Sequence, residues 1–239
     1  MVIENKIELK NIYLNYPLLD YSKSSLKLTT LNLFTGGKVS LLSKEPVVNA
    51  LENISLDICH GEKIGLYGHN GSGKTSLLRI IAGIFNPQKG SVKVLGNISS
   101  MLSIDLGVDI YETGIENIKL KGKILKFSKP QIDIMIEKIA EFSELGEFLK
   151  LPLSTYSSGM LVRFQFALAT YKVNDIILLD EWLSAGDEKF APKAEKKMRE
   201  IIAKSGILVI ASHNFELLKR VCTKIVYLEK GKIKKIEKV

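Results

Sequence analysis

Nine consecutive residues carry the clearest chemistry in the chain. Gly68-His69-Asn70-Gly71-Ser72-Gly73-Lys74-Thr75-Ser76 places three glycines and a lysine directly after the apolar run Lys63-Ile64-Gly65-Leu66-Tyr67. Glycines permit positive φ and close backbone approach, so successive N–H groups can point into one concavity and form an anion nest. A helix starting there adds its free N-terminal amides and partial positive charge. Lys74 supplies a full charge for the outer phosphates, and Thr75 a hydroxyl where a bridging magnesium ion would sit. Residues 68 to 75 match G-x-x-x-x-G-K-[ST] in full. The stretch is therefore expected to hold a nucleoside triphosphate. Downstream stand Tyr156-Ser157-Ser158-Gly159-Met160, the acids Asp180-Glu181 after an apolar run, Ser184-Ala185-Gly186-Asp187, and Ser212-His213-Asn214.

The elements that must position these groups are readable from periodicity. Ile7 to Ile12 and Ala50 to Ile58 alternate like strands. Thr75 to Ile84 reads as a helix ended by Asn86-Pro87, and Gly90 to Ile98 as a return to strand. Ser128-Lys129-Pro130-Gln131 has capping-box spacing, and Ile132, Met135, Ile136 and Ile139 then lay one apolar stripe along a helix. Asp175 to Asp180 and Gly206 to Ala211 are short, continuous apolar runs that suit central strands of a parallel sheet covered on both faces. Ser157 and Gly159 also fit a helix cap before Leu161 to Tyr171. Residues 17 to 48 look inserted. Within them Ser24 or Ser25 caps a short amphipathic helix through Leu28, Leu31 and Phe34, although Leu26, Leu28, Leu31 and Leu33 fit a strand as well.

Composition bounds the class. The 239 residues, 46% hydrophobic and 25% charged, suit one well-buried globular domain. No stretch approaches the roughly 20 continuous apolar residues of a bilayer helix, and the N-terminus lacks a signal peptide, so the chain is expected in the cytosol. Cys59 and Cys222 have neither CxxC spacing nor clustered histidines and read as reduced core thiols. The net charge of +8 is compatible with nucleic acid, an anionic membrane surface or an acidic ligand. Much of the basic excess lies in Lys119 to Lys129 and in the last twenty residues, where Gly231-Lys232-Ile233-Lys234-Lys235 reads as a solvated strand face.

In motif order and approximate spacing, the chain resembles the ATP-binding subunits of ABC transporters over nearly its whole length. That resemblance implies an α/β fold: a P-loop NTPase core with a parallel central sheet, an antiparallel β subdomain and a helical signature subdomain. The whole chain, 1 to 239, is then one ATPase domain, with the helical subdomain at about 115 to 170 and the inserted loop at about 17 to 48. By the same resemblance Gly68 to Ser76 is the Walker A loop and Tyr156 to Met160 the signature. Asp180 becomes the magnesium ligand, Glu181 the general base, Asp187 the D-loop aspartate, and His213 the switch histidine contacting the γ-phosphate. The residues themselves agree: a hard carboxylate at the carboxyl end of a buried strand suits magnesium, and Glu181 can orient the attacking water. Taken alone, His213 is equally a satisfied histidine at a strand end. Tyr16 matches the aromatic that stacks on adenine, and equally a core tyrosine.

The wording YSSGM at 156 to 160, TGIENI at 113 to 118 and LGVDIYETG at 106 to 114 is similar to the branch that exports O-antigen and teichoic acid. ATP and Mg2+ are the implied cofactors. The implied partners are a second copy of the chain, joined through ATP, two copies of a separate membrane-spanning permease, and a lipid-linked polysaccharide as cargo. Nucleic acid is not expected, and the protein is placed peripherally on the inner face of the cytoplasmic membrane. Two departures stand out. Where relatives carry a glutamine that touches magnesium, this chain reads Ser103-Ile104-Asp105. The chain also stops soon after the usual last strand, so no added carbohydrate-binding domain is expected. The alternative is a soluble ATPase of the same type acting on the ribosome or nucleic acid.

Overall fold

The computed structural model describes residues 4–17, 39–42, 45–102, 107–181 and 189–239. Among the described residues, ten strands and six α-helices fall into two compact units. The first holds residues 1–102, 174–182 and 205–239, and the second residues 103–173 and 183–204.

In the first unit, β1 (Lys6–Pro17), β2 (Val39–Leu42), β3 (Glu45–Cys59) and β5 (Lys89–Leu95) form an antiparallel sheet in the order β2-β3-β1-β5. Alternation sets its inner face: Ile7 opposes Ile58, Leu9 opposes Leu56, and Ile12 opposes Ile54, all buried. The same alternation turns Cys59 outward, so only Cys222 is a core thiol. The second sheet runs β10-β9-β4-β8-β7-β6, comprising β4 (Lys63–Tyr67), β6 (Ile98–Met101), β7 (Ile176–Asp180), β8 (Ile207–Ser212), β9 (Lys224–Glu229) and β10 (Lys232–Lys238). Its strands pair in parallel except β10, which returns antiparallel along β9. Ile207 to Ser212 are buried without interruption, as continuous apolar strands in a covered parallel sheet must be. The core joins both sheets to α1 (Lys74–Ile81) through Leu77, Leu78, Ile80 and Ile81.

Two elements end earlier than their sequence reading. Helix α1 stops at Ile81, not Ile84, because Gly83 takes φ 72° and donates its N–H back to the Ile80 carbonyl. The strand expected at 90 to 98 breaks at Gly96, whose φ of 119° only glycine adopts readily. Its two halves, β5 and β6, enter different sheets. The helix or strand expected around residues 24 to 34 lies outside the described residues, while 39–42 and 45–48 of the inserted stretch pair as β2 and β3.

The second unit contains α2 (Gly114–Ile124), α3 (Lys129–Ser143), α4 (Ser158–Thr170) and α5 (Ala191–Lys204), with 3-10 turns at Gly146–Lys150 and Leu153–Thr155. The capping box forms, with the Ser128 N–H donating to Gln131 Oε1 at 2.8 Å. Ile132, Met135 and Ile139 are buried, and the last two pack with Ile118, Leu149 and Phe164. The basic tail is the solvated strand its alternation suggests, with β10 exposed along most of its length.

Candidate functional site

Parallel strands deliver their carboxyl ends to one edge of the sheet, and register decides which residues meet there. Tyr67, the last residue of β4, stands opposite Ser212, and Asp180 of β7 opposite Ala211. The glycine-rich turn, the acid pair and the histidine triplet therefore converge at one edge within the first unit. There a cleft of about 890 Å³ is lined by residues 69–76, Tyr16, Val48, Ala50, Asp180, Glu181 and Lys230.

The turn is held by steric confinement from two other segments. A Cβ on Gly68 would stand 2.3 Å from the Leu228 carbonyl oxygen and 2.7 Å from Ser72 Oγ. Gly73, at φ 111°, approaches the Ala50 carbonyl, to which a Cβ would come within 2.8 Å. From the β9–β10 turn the Gly231 N–H donates to the Ser72 carbonyl at 2.9 Å, and the Glu52 N–H donates to Gly231 at 2.8 Å. Lys74 is buried, and its ammonium donates to the carbonyls of Gly68 at 2.7 Å and His69 at 3.2 Å. Ser72 Oγ, 1% exposed, has no hydrogen-bond partner. Burying an unpaired hydroxyl costs about 1–3 kcal/mol, which an oxyanion in the concavity would offset. Tyr16 packs edge-on against Phe85 with centroids 5.8 Å apart, and its hydroxyl donates to Ser76 Oγ at 3.1 Å.

Facing the cradle, Glu181 follows β7 in a left-handed conformation, φ 71°, with its N–H donating to the Ala211 carbonyl at 2.9 Å. Strain of this kind concentrates at functional sites. Its carboxylate meets two residues from the end of β8: Ser212 Oγ donates to Oε2 at 3.0 Å, and His213 Nδ1 lies 3.2 Å from Oε1. Toward a carboxylate, Nδ1 is the donor.

The remaining predicted residues are placed less centrally. His69 and Asn70 are exposed on the turn, with His69 Nδ1 2.7 Å from the Asn70 carbonyl. Ser157, Ser158, Gly159 and Met160 belong to the second unit, where Ser157 caps α4 by accepting the Met160 N–H at 3.2 Å. Burial raises the hydroxyl of Tyr156, just before them, to about 12. Asp187 and Ser103-Ile104-Asp105 lie outside the described residues. Sequence reasoning missed Ser212, Lys230 and the bracing role of Gly231. Ser212 had a signal, since it ends the apolar run before His213, but only register brings it to Glu181.

A glycine nest, a buried lysine and an orphaned hydroxyl facing a strand-end acid pair make a phosphate-binding and hydrolytic arrangement. The ABC transporter family matches residues 51–184, more than half of the chain. The chain belongs to the ABC transporter family. Within it, this ABC ATPase domain is 41% identical over 225 residues to the O-antigen export system ATP-binding protein RfbE of Yersinia enterocolitica, covering 94% of each chain. It is 40% identical to the teichoic acids export ATP-binding protein TagH of Bacillus anthracis, over 77% of this chain and 34% of that one. Among solved structures, the dimeric post-hydrolysis state of the ATP-binding cassette MJ0796 bound to ADP and Pi superposes with a TM-score of 0.70 at 22% identity, covering 97% of this chain and 98% of that one. The likeness at that identity establishes the ABC cassette fold.

Proposed function

We propose that this chain is the ATP-hydrolysing subunit of an ABC export system that moves a lipid-linked surface polysaccharide, O-antigen-like, across the cytoplasmic membrane. The observation that carries the transport part is the 41% identity to an O-antigen export ATP-binding protein across 94% of both chains. The cleft carries the chemistry. Among the described residues no helix is long and apolar enough to cross a membrane. A separate permease, present twice, would supply the path and hold the ATPase at the inner membrane face. Kinship to export subunits disfavours the ribosome or nucleic acid reading.

In this reading the backbone amides of residues 71–75 and the Lys74 ammonium bind the phosphates, Ser72 Oγ gains a partner, and Tyr16 stacks on the base. Thr75 and Asp180 would hold Mg2+. One hydroxyl and one carboxylate fit an ion that takes its other ligands from phosphate and water. Held there, the ion would supply positive charge against the negative charge of the phosphates. Glu181 accepts a proton from water as the water oxygen attacks the γ-phosphorus, and the bond to the bridging oxygen breaks with its electron pair leaving on ADP. Ser157 and Gly159 of a second copy, with Asp187, would complete the site in a homodimer.

Glu181→Gln separates these roles. It keeps size and a hydrogen-bonding oxygen but loses basicity, so hydrolysis should fall about 10² to 10⁴-fold with ATP binding retained. The unconsumed nucleotide should then hold the variant as a dimer, visible by light scattering with magnesium and ATP and absent with ADP. Hydrolysis at the wild-type rate would remove Glu181 as the base. In cells, deleting the gene should leave lipid-linked polysaccharide accumulating on the cytoplasmic side.

A further inference from the structure

We propose that Ser212 is the positioning residue for the hydrolytic carboxylate: its single hydroxyl proton fixes the orientation of Glu181 toward the attacking water. The inference rests on the reading of Glu181 as the general base. Ser212 ends β8 and is 1% exposed. Its Oγ accepts the Asn214 N–H at 3.1 Å and donates to Glu181 Oε2 at 3.0 Å. An ionised carboxylate only accepts, so the Ser212 proton goes to Glu181 while its oxygen accepts from the Asn214 amide.

Among the described residues two donors touch the Glu181 carboxylate, and they differ in permanence. The His213 side chain is 77% exposed, and its imidazole can rotate away from Oε1 at small cost. Ser212 is enclosed by packed sheet and cannot. A glutamate that leaves its strand at φ 71° starts from a backbone direction few side chains share, so small χ rotations would carry its carboxylate out of line. Misplacement of about 1 Å can cost a hundredfold in rate. The Ser212 hydroxyl is the buried restraint against that loss. Its second role, receiving the Asn214 N–H, is local, and helix α6 (Phe215–Val221) is capped independently by the Asn214 side chain, which accepts the Leu217 N–H at 3.0 Å. Removing Oγ therefore leaves the cap in place.

A double-mutant cycle on the full chain tests the assignment. Ser212→Ala should lower the single-turnover hydrolysis rate about ten- to a hundredfold, the worth of a hydrogen bond to a charged group. KM and the affinity for a labelled ATP analogue should stay within about twofold of wild type, because the cradle makes no use of Ser212. In a Glu181→Gln background the same change should alter the residual rate by less than about twofold, since the group it orients no longer acts as a base. Ser212→Thr, which restores the hydroxyl, should recover most of the rate. An unchanged rate in Ser212→Ala while Glu181→Gln is impaired overturns the positioning role alone. An equal loss in both backgrounds, or a loss of nucleotide affinity or of the folded state, also overturns it by making Ser212 a structural residue. Wild-type hydrolysis by Glu181→Gln itself is the separate outcome in which the base reading fails and takes this inference with it.

Discussion

Alanine at two neighbouring glycines of the cradle separates conformational cost from packing cost. Gly71 and Gly73 both hold positive φ, 73° and 111°. A Cβ on Gly71 meets nothing within 4 Å, whereas one on Gly73 stands 2.8 Å from the Ala50 carbonyl oxygen and 3.0 Å from Leu51 Cδ2. The left-handed backbone costs an L-residue about 1–2 kcal/mol at either site. At Gly73 overpacking adds about 1–3 kcal/mol, because Ala50 is buried in β3 and its carbonyl cannot retreat freely. Gly73→Ala should thus destabilise by about 2–5 kcal/mol and Gly71→Ala by about 1–2 kcal/mol. For a chain of this size each kcal/mol lowers Tm by about 2–4 °C, so the melting temperature should fall by about 4–20 °C in the first variant and about 2–8 °C in the second. Thermal unfolding followed by circular dichroism measures both. Equal shifts in the two variants would refute the claim that β3 braces the cradle.

Two further outcomes follow from Tyr16 and Cys222. Tyr16→Ala should weaken binding of a labelled ATP analogue by about 1–3 kcal/mol, roughly 5- to 150-fold, while Tyr16→Phe keeps the ring and loses only the bond to Ser76; equal losses in both would rule out stacking. Burial, only partly opposed by Lys63, raises the Cys222 thiol to about 12, so at pH 8 about one molecule in 10⁴ carries the thiolate. A chromogenic thiol reagent should therefore titrate one fast cysteine per native chain, the exposed Cys59, and a second only on unfolding.

Local patterns were legible because local physics generates them. A glycine-rich motif between an apolar run and a helical period is enough to place β4, the turn and the start of α1. Ser128 and Gln131 satisfy each other across three residues, so their spacing was enough to fix the start of α3. The alternation that defines β3 also fixed Cys59 as exposed, a consequence available from sequence but not drawn. Gly83 and Gly96 were visible as glycines, yet whether a glycine adopts positive φ depends on what surrounds it. At Gly96 the Asn5 side chain closes the space a Cβ would need, and no window around residue 96 contains Asn5. Gly231 touches Ser72 and Glu52 across well over a hundred residues of chain, a relation that only the folded sheets create.

Charge bookkeeping in the cleft shows why those long-range braces matter for binding. Lys74 and Lys230 contribute two cations, Asp180 and Glu181 two anions, so the lining side chains are formally neutral. The chain's excess of +8 thus resides elsewhere and does not by itself attract a triphosphate into this site. Beside the Lys74 ammonium, affinity draws on oriented dipoles: the amides of the turn and the N-terminus of α1, equivalent to roughly half a positive charge. Dipoles act at short range and only when aimed. A loop of glycines free in solution would sample many directions and lose that aim, at a conformational cost of about 1–2 kcal/mol for each residue ordered on binding. Here Ala50, Leu228 and Gly231 confine the turn through contacts a Cβ could not tolerate and through the hydrogen bond from Gly231 to Ser72, so the cost is met during folding. The glycines serve less to make the cradle flexible than to let two distant strands close tightly enough to make it rigid.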